Sequence, residues 1–208
     1  MTQLLAATRN RGKFREIKDI LDGLGLEVVD PDQAGVGYEP AEEELERYET
    51  FRENALAKVR YFAGRTGLPA VADDSGLVVD ALGGEPGVRS KRFSSRGGLS
   101  GEQLGLANNQ ALLGLLTGVP DPDRTASFVC VAALVLPDGR ERLFEGRLEG
   151  IITREPRGDG GFGYDPLFFV PAEGATTAEL SPARKNAISH RGRAFRALRA
   201  ALEAGGRG

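Results

Sequence analysis

The 208-residue chain contains one cysteine, one histidine, one methionine and no tryptophan. A single cysteine excludes an internal disulfide. Its place in the apolar run Val129-Cys130-Val131 reads as a small buried hydrophobe in a reducing compartment, so a cytoplasmic location is expected. With one Cys and one His, a Cys/His zinc site is also excluded. Any metal must be held mostly by oxygen, which points to Mg²⁺ with Mn²⁺ as its substitute. No apolar run approaches the ~20 residues that cross a membrane, and Met1-Thr2-Gln3-Leu4 lacks the basic start of a secretory signal, so neither export nor a membrane partner is expected. Basic charge is not in excess: 27 Lys and Arg stand against 30 Asp and Glu, and the net charge of −3 argues against general nucleic-acid binding. Lysine is the scarce cation. Only Lys13, Lys18, Lys58, Lys91 and Lys185 occur, and every other cation of the 27 is Arg. A chain that uses Arg wherever a generic cation serves keeps Lys where a compact ammonium is needed.

What is present is ordinary for a soluble globular chain: 40% apolar and 27% charged residues, enough for one domain with a real core. The 29 glycines are about twice the usual ~7%, yet they fall in loops between periodic segments. Gln3 to Ala7 reads as a strand. Gly12 to Leu24 reads as a helix, with Phe14, Ile17, Leu21 and Leu24 at helical spacing. Thr50 to Gly64 is a second helix, with Phe51, Ala55, Val59 and Phe62 on one face. Leu68 to Ala72 is a buried strand ending at Asp73-Asp74-Ser75-Gly76, and Leu77 to Leu82 continues extended. Gly83 to Gly98 is a loop. Ser100 caps a helix to about Thr117 with the stripe Leu104, Ala107, Ala111 and Leu115. Ser127–Leu136 and Glu141–Ile152 are strands joined by Pro137-Asp138-Gly139, a hairpin signal. Leu167 to Val170 is a short strand. Ser181-Pro182 starts a last helix that breaks near Ser189 and runs to about Ala204. Strand followed by helix from the start of the chain gives an α/β class, as a single domain over 1–208 in two lobes, with the hairpin and its neighbours in the second.

Six constellations could do chemistry, each weighed against a purely structural role. Thr8-Arg9-Asn10-Arg11-Gly12-Lys13 lies between a strand and a helix, where backbone N–H groups and the helix dipole favour a phosphate. A capped helix start with solvated cations would look the same. Asp73-Asp74-Ser75 places two carboxylates at a strand end, where ligand sites of α/β sheets gather. Alternation along a strand sends one Asp to the site and the other to structure. The acidic run Glu39, Glu42, Glu43, Glu44, Glu46 and Glu49 reads as a solvated face, one member of which supplies a further carboxylate. Asn54 and Lys58 fall on the apolar face of the second helix, where polar groups need partners. Gly160-Gly161-Phe162-Gly163-Tyr164-Asp165-Pro166 offers close backbone approach and flat aromatic faces. Finally, Lys185, His190 and Arg191 lie in a stretch from Pro182 to Leu202 with no acidic residue.

Together these segments resemble the inosine triphosphate pyrophosphatase family, the XTP/dITP diphosphatases. Thr8-Arg9-Asn10-Arg11-Gly12-Lys13 matches T-x-N-x-x-K. Thr50-Phe51-Arg52-Glu53-Asn54-Ala55, Ala72-Asp73-Asp74-Ser75-Gly76-Leu77, Gly161-Phe162-Gly163-Tyr164-Asp165-Pro166 and Ser189-His190-Arg191-Gly192 follow in order. The resemblance covers nearly the whole chain. It implies an elongated central mixed sheet flanked by helices, two lobes with a cleft between them, a homodimer, and Mg²⁺-dependent hydrolysis of ITP, dITP and XTP to the monophosphate and pyrophosphate. Asp74 takes the general-base position and a metal position, and Ser75 a substrate contact. Thr8, Arg9, Asn10, Arg11, Gly12 and Lys13 become the phosphate loop, and Lys58 a phosphate contact. Phe162, Gly163, Tyr164, Asp165, Lys185, His190 and Arg191 become the nucleotide and base pocket, with Phe162 or Tyr164 stacked on the base. The second metal carboxylate departs from the family's E-x-G-x-T-F pattern, because Tyr48 replaces the Gly. Counting back from Thr50 favours Glu46, with Glu44 and Glu49 as alternatives. Two other readings compete: a pyrophosphatase for modified pyrimidine nucleotides, and a nucleotide-binding domain without turnover.

Overall fold

The computed structural model describes residues 2–94 and 97–205. Among the described residues five α-helices and seven strands follow one another as β1 (Thr2–Ala6), α1 (Arg11–Leu21), β2 (Leu26–Val29), α2 (Phe51–Thr66), β3 (Ala70–Val79), α3 (Gly101–Leu115), β4 (Thr125–Val135), β5 (Glu141–Ile152), β6 (Phe168–Val170), β7 (Ala175–Thr176), α4 (Pro182–Ile188) and α5 (His190–Gly205). The strands form one mixed sheet in the order β2-β1-β3-β4-β5-β6-β7. β1 runs parallel to both β2 and β3, whereas β6 runs antiparallel to β5 and β7. The α/β class and the helix-flanked mixed sheet are as expected. β2 was not foreseen, because four residues behind Gly25 show too little alternation to stand out. Ser95 and Arg96 of the expected 83–98 loop lie outside the described residues.

The chain forms two compact units, one of Met1–Ser75, Cys130–Gly146 and His190–Gly208, the other of Gly76–Val129 and Arg147–Ser189. In the first unit, strand alternation builds two cores. Leu4, Ala6, Val71, Cys130, Ala132 and Leu134 pack with Ile17 and Leu21 of α1 and Phe195 and Leu198 of α5. The intervening Leu5, Ala7, Ala70, Ala72, Val131 and Ala133 pack with Ala55, Val59 and Phe62 of α2. A period of two thus puts α1 and α5 on one face of these strands and α2 on the other. Gly146 lets α5 reach β5: a Cβ there would lie 2.0 Å from the His190 carbonyl oxygen and 2.7 Å from the Ala194 nitrogen.

The second unit has its own core of Leu77, Leu112, Leu116, Phe128, Leu167 and Phe168. α3 buries most of the expected stripe: Ala107 is buried, Leu104 and Ala111 are half-buried, and only Leu115 is exposed. Asn108, Asn109 and Leu112 are also buried, and Asn108 bonds the carbonyls of Ser90 and Lys91. Ser100 occupies the cap position of α3 without a side-chain capping bond.

Candidate active site

The Asp-Asp pair lies inside a strand, not at its end. β3 continues through Asp73 to Val79, but its register with β1 stops at Ala6↔Val71. The two carboxylates therefore follow directly on the carboxyl end of β1, which places them in the first unit with the Thr8–Lys13 loop. Alternation then divides them. Asp73 continues the Val71 row toward α1 and α5, and its Oδ2 accepts from Arg191 Nη2 at 3.2 Å and meets Lys13 Nζ at 3.1 Å. Asp74 continues the Ala72 row toward α2, where its Oδ2 accepts from Asn54 Nδ2 at 2.9 Å and its Oδ1 lies 3.6 Å from Lys58 Nζ.

These surroundings drive the two carboxyls apart. Burial would raise both, yet at Asp73 the positive charges of Lys13, Arg191 and Lys58 outweigh it and hold the carboxyl well below the usual range. At Asp74 burial wins over Lys58 and Lys13, with Glu46 adding to the rise, so its carboxyl is held above the usual range. Adjacent carboxylates tuned in opposite directions separate a permanent anion from a group able to exchange a proton. Arg191 is the second of the anchor's cations, after Lys13. It is 2% exposed and also donates to Glu16 Oε2 and, at 2.8 Å, to Ser75 Oγ. Its guanidinium is thus engaged with Asp73, Ser75 and Glu16.

Lys58 and Asn54 do not snorkel to the surface. Asn54 is fully buried, its side chain holding both Asp74 and the Tyr48 backbone. Lys58 Nζ donates to Glu46 Oε1 and to the Asp73 carbonyl oxygen, each at 2.6 Å. Burial disfavours its charge, but Glu46, Asp74 and Asp73 hold the ammonium protonated above its ordinary value. Of the three glutamates considered, Glu46 reaches this centre. Glu44 pairs with Arg47, and Glu49 is exposed. The acidic run is laced with cations and is not a simple solvated face: Glu39 binds Arg65 and Tyr61, and Glu42 takes the Arg9 guanidinium at 2.7 Å. Arg9 also reaches Asp32 and the Val36 carbonyl. Its side chain thus fastens the Pro40–Glu46 turn, which carries Glu46 at its end, instead of joining Lys13. Within the loop, Asn10 caps α1 by accepting from the Gly12 and Lys13 amides, and Thr8 Oγ1 accepts from the Asn10 amide.

In the second unit, Asp165 organises the glycine-aromatic loop. Its Oδ2 accepts from the Phe162 amide and from Lys185 Nζ, both at 2.7 Å, and its Oδ1 from Thr177 at 2.8 Å. A Cβ on Gly161 would lie 2.1 Å from Asp165 Oδ2, so that position must lack a side chain. Phe162 is 37% exposed, with the Lys185 ammonium 4.7 Å from its ring centre. Tyr164 is 5% exposed in the core, with its hydroxyl donating to the Ser90 carbonyl.

The profile of the Ham1 family matches residues 4–201. The chain belongs to the Ham1 family. A protein of Geobacter sulfurreducens named dITP/XTP pyrophosphatase is 52% identical over 199 residues, covering 96% of each chain. Among solved structures, a HAM1 protein from Coxiella burnetii superimposes with a TM-score of 0.84 at 40% identity, covering 98% of this chain and all of that one. A nucleoside-triphosphatase / dITP/XTP pyrophosphatase from Mycobacterium abscessus gives 0.72 at 45% identity, covering 95% and 98%. The resemblance read from five ordered motifs is borne out.

Two residues that serve this Ham1 site went unread in the sequence. Glu16 holds Arg191, and its signal was available: it lies three positions after Lys13, on the same face of α1. Gly146 is a glycine inside a strand pattern, which marks a close backbone approach. Cys130 lies under Asp73, 3.8 Å from Oδ2, and its thiol is pushed up by burial and by Asp73.

Proposed function

We propose that this protein hydrolyses ITP, dITP and XTP to the nucleoside monophosphate and pyrophosphate, a house-cleaning reaction that keeps deaminated purines out of DNA and RNA. The observation that carries it is the buried Asp73–Asp74 pair divided between two sets of partners, Lys13 and Arg191 on Asp73, Lys58 and Asn54 on Asp74. Asp74 acts as general base, taking a proton from the water that attacks the α-phosphorus. Asn54 fixes its orientation. Lys13, Lys58 and the loop from Thr8 to Gly12 stabilise the triphosphate and the departing pyrophosphate. Asp73 stays ionised and holds Lys13 and Arg191 in place. In the second unit Phe162 stacks on the base and Gly163, Asp165 and Lys185 shape its surroundings; in the first, Ser75 and His190 contact the substrate.

The donor chemistry fits a hard divalent cation. Glu46 and Asp74 both face the Lys58 ammonium, and all three of its close neighbours are oxygens. Among the described residues no cluster of three or more acidic, His or Cys ligands occurs. Mg²⁺ is commonly held by one or two carboxylates together with substrate phosphates. Glu46 and Asp74 would hold it, and when bound it neutralises charge as the phosphoanhydride bond breaks. The enzyme works as a cytoplasmic homodimer on a small-molecule substrate, without nucleic acid. Among the described residues no helix is long and apolar enough to cross a membrane.

The test is pyrophosphate release from ITP, XTP, dATP and dGTP, with Mg²⁺ and with EDTA. Mg²⁺-dependent release from ITP and XTP, with little from the other two, is expected. Equal rates on dATP and dGTP would refute the substrate class, and no Mg²⁺-dependent turnover of any of them would favour a binding role.

A further inference from the structure

Lys58 stands where another cation is called for. Its Nζ is 2.6 Å from Glu46 Oε1, 2.6 Å from the Asp73 carbonyl oxygen and 3.6 Å from Asp74 Oδ1. Its side chain is only 10% exposed and rises from the buried face of α2. Two carboxylates sharing a site, one of them buried, repel each other unless a positive charge lies between them. Here a side chain supplies that charge. In a chain whose other cations are overwhelmingly Arg, this position keeps the compact ammonium, which fits among three oxygens where a planar fork would not.

We propose that Lys58 is a resident cation that occupies the Glu46–Asp74 site in the nucleotide-free protein and keeps a bare divalent ion out, so that metal enters only together with a triphosphate. The proposal rests on the reading of Glu46 and Asp74 as the metal carboxylates. A divalent ion beside the same two carboxylates would lie within about 4 Å of the ammonium, and like charges that close repel by several times RT even at a surface-like dielectric. A triphosphate relieves the conflict in two ways. Its negative charge offsets the added cation, and its oxygens give the ammonium new acceptors within reach of a flexible four-carbon stem. The enzyme thereby avoids holding a metal that could activate water without substrate.

The experiment titrates Mn²⁺ into the full chain and follows the signal of unbound Mn²⁺ by electron paramagnetic resonance. It is done without nucleotide and with an ITP analogue whose α–β bridge cannot be hydrolysed. Wild type is expected to bind Mn²⁺ weakly alone and tightly with the analogue. Lys58→Met should bind Mn²⁺ alone at least about tenfold more tightly than wild type, and adding Glu46→Gln should abolish that gain. A folded Lys58→Met that binds Mn²⁺ alone no better than wild type overturns the proposal, as does wild type binding equally well with and without the analogue. Should Lys58→Met not fold, the side-chain ¹⁵N resonance of Lys58 in wild type decides. It should ignore Mg²⁺ alone and shift with Mg²⁺ plus analogue, and a shift with Mg²⁺ alone overturns the proposal. Mn²⁺ binding that needs Asp74 and Glu46 but is indifferent to Lys58 sinks this inference and leaves the metal reading standing. No Mn²⁺ binding even with the analogue sinks both.

Discussion

Changing each member of the Asp73–Asp74 pair to its amide should give opposite phenotypes from neighbouring, near-isosteric substitutions. The Asp73 side chain is fully buried and its Oδ2 faces Lys13 and Arg191, the latter also buried. Asp73→Asn leaves those cations without their shared anion. Removing one partner of a buried ion pair costs about 3–5 kcal/mol. At roughly 2–4 °C per kcal/mol for a chain of this size, Tm should fall by about 6–20 °C. Asp74 is different. Its burial already disfavours the charge, Glu46 adds repulsion, and Asn at this position still accepts from Asn54. Lys58 keeps Glu46 and the Asp73 carbonyl. Asp74→Asn should therefore stay within about 1 kcal/mol of wild-type stability, while kcat falls by roughly 10²–10⁴ because the general base is gone. Differential scanning fluorimetry and pyrophosphate release from ITP measure the two effects on the same preparations. If Asp73→Asn melts with wild type, or if Asp74→Asn melts far below it with kcat intact, the division of labour between the two carboxylates is wrong.

Two further outcomes test the surroundings of the pair. Gly146→Ala puts a methyl group 2.0 Å from the His190 carbonyl oxygen. β5 and α5 must separate, which should cost about 1–3 kcal/mol of stability and lower kcat/KM by displacing Arg191, one residue further on; wild-type melting and activity would show that the contact is not needed. Titration of the side-chain carboxyl ¹³C signals in metal-free protein should find Asp74 above the usual ~3.9 and Asp73 below it. The sign for stability follows. Asp73, lower in the folded state than in the unfolded chain, contributes fully above about pH 4 and loses its contribution on acidification. Asp73→Asn should lack that part of the acid slope, and the reverse order of the two carboxyls would refute the assignment.

Much of this was legible in the sequence because local rules sufficed. Phe14, Ile17 and Leu21 show the helical period of α1, the Pro137-Asp138-Gly139 turn sits between β4 and β5, and Ser181-Pro182 starts α4 with Ser181 accepting from the Arg184 amide. The motifs in order were enough to mark the family, and strand alternation required Asp73 and Asp74 to face opposite ways. Which Asp faces which helix is not a local property. It depends on α1 and α5 covering the Val71 row and α2 the Ala72 row. For the same reason the partners of Arg9, Tyr164 and Arg191 could not be read from the sequence. A charged or aromatic side chain in a motif looks available until its partners arrive from elsewhere in the chain: Glu42, 33 residues from Arg9; Ser90, 74 from Tyr164; and Asp73, 118 from Arg191. The sequence by itself determined most of the helices and strands, the family and the set of charged groups. Only the tertiary structure decided which of those charges is buried against which, and hence which carboxylate is locked as an anion and which can take a proton. Desolvation and Coulomb energy depend on distance in space and not along the chain.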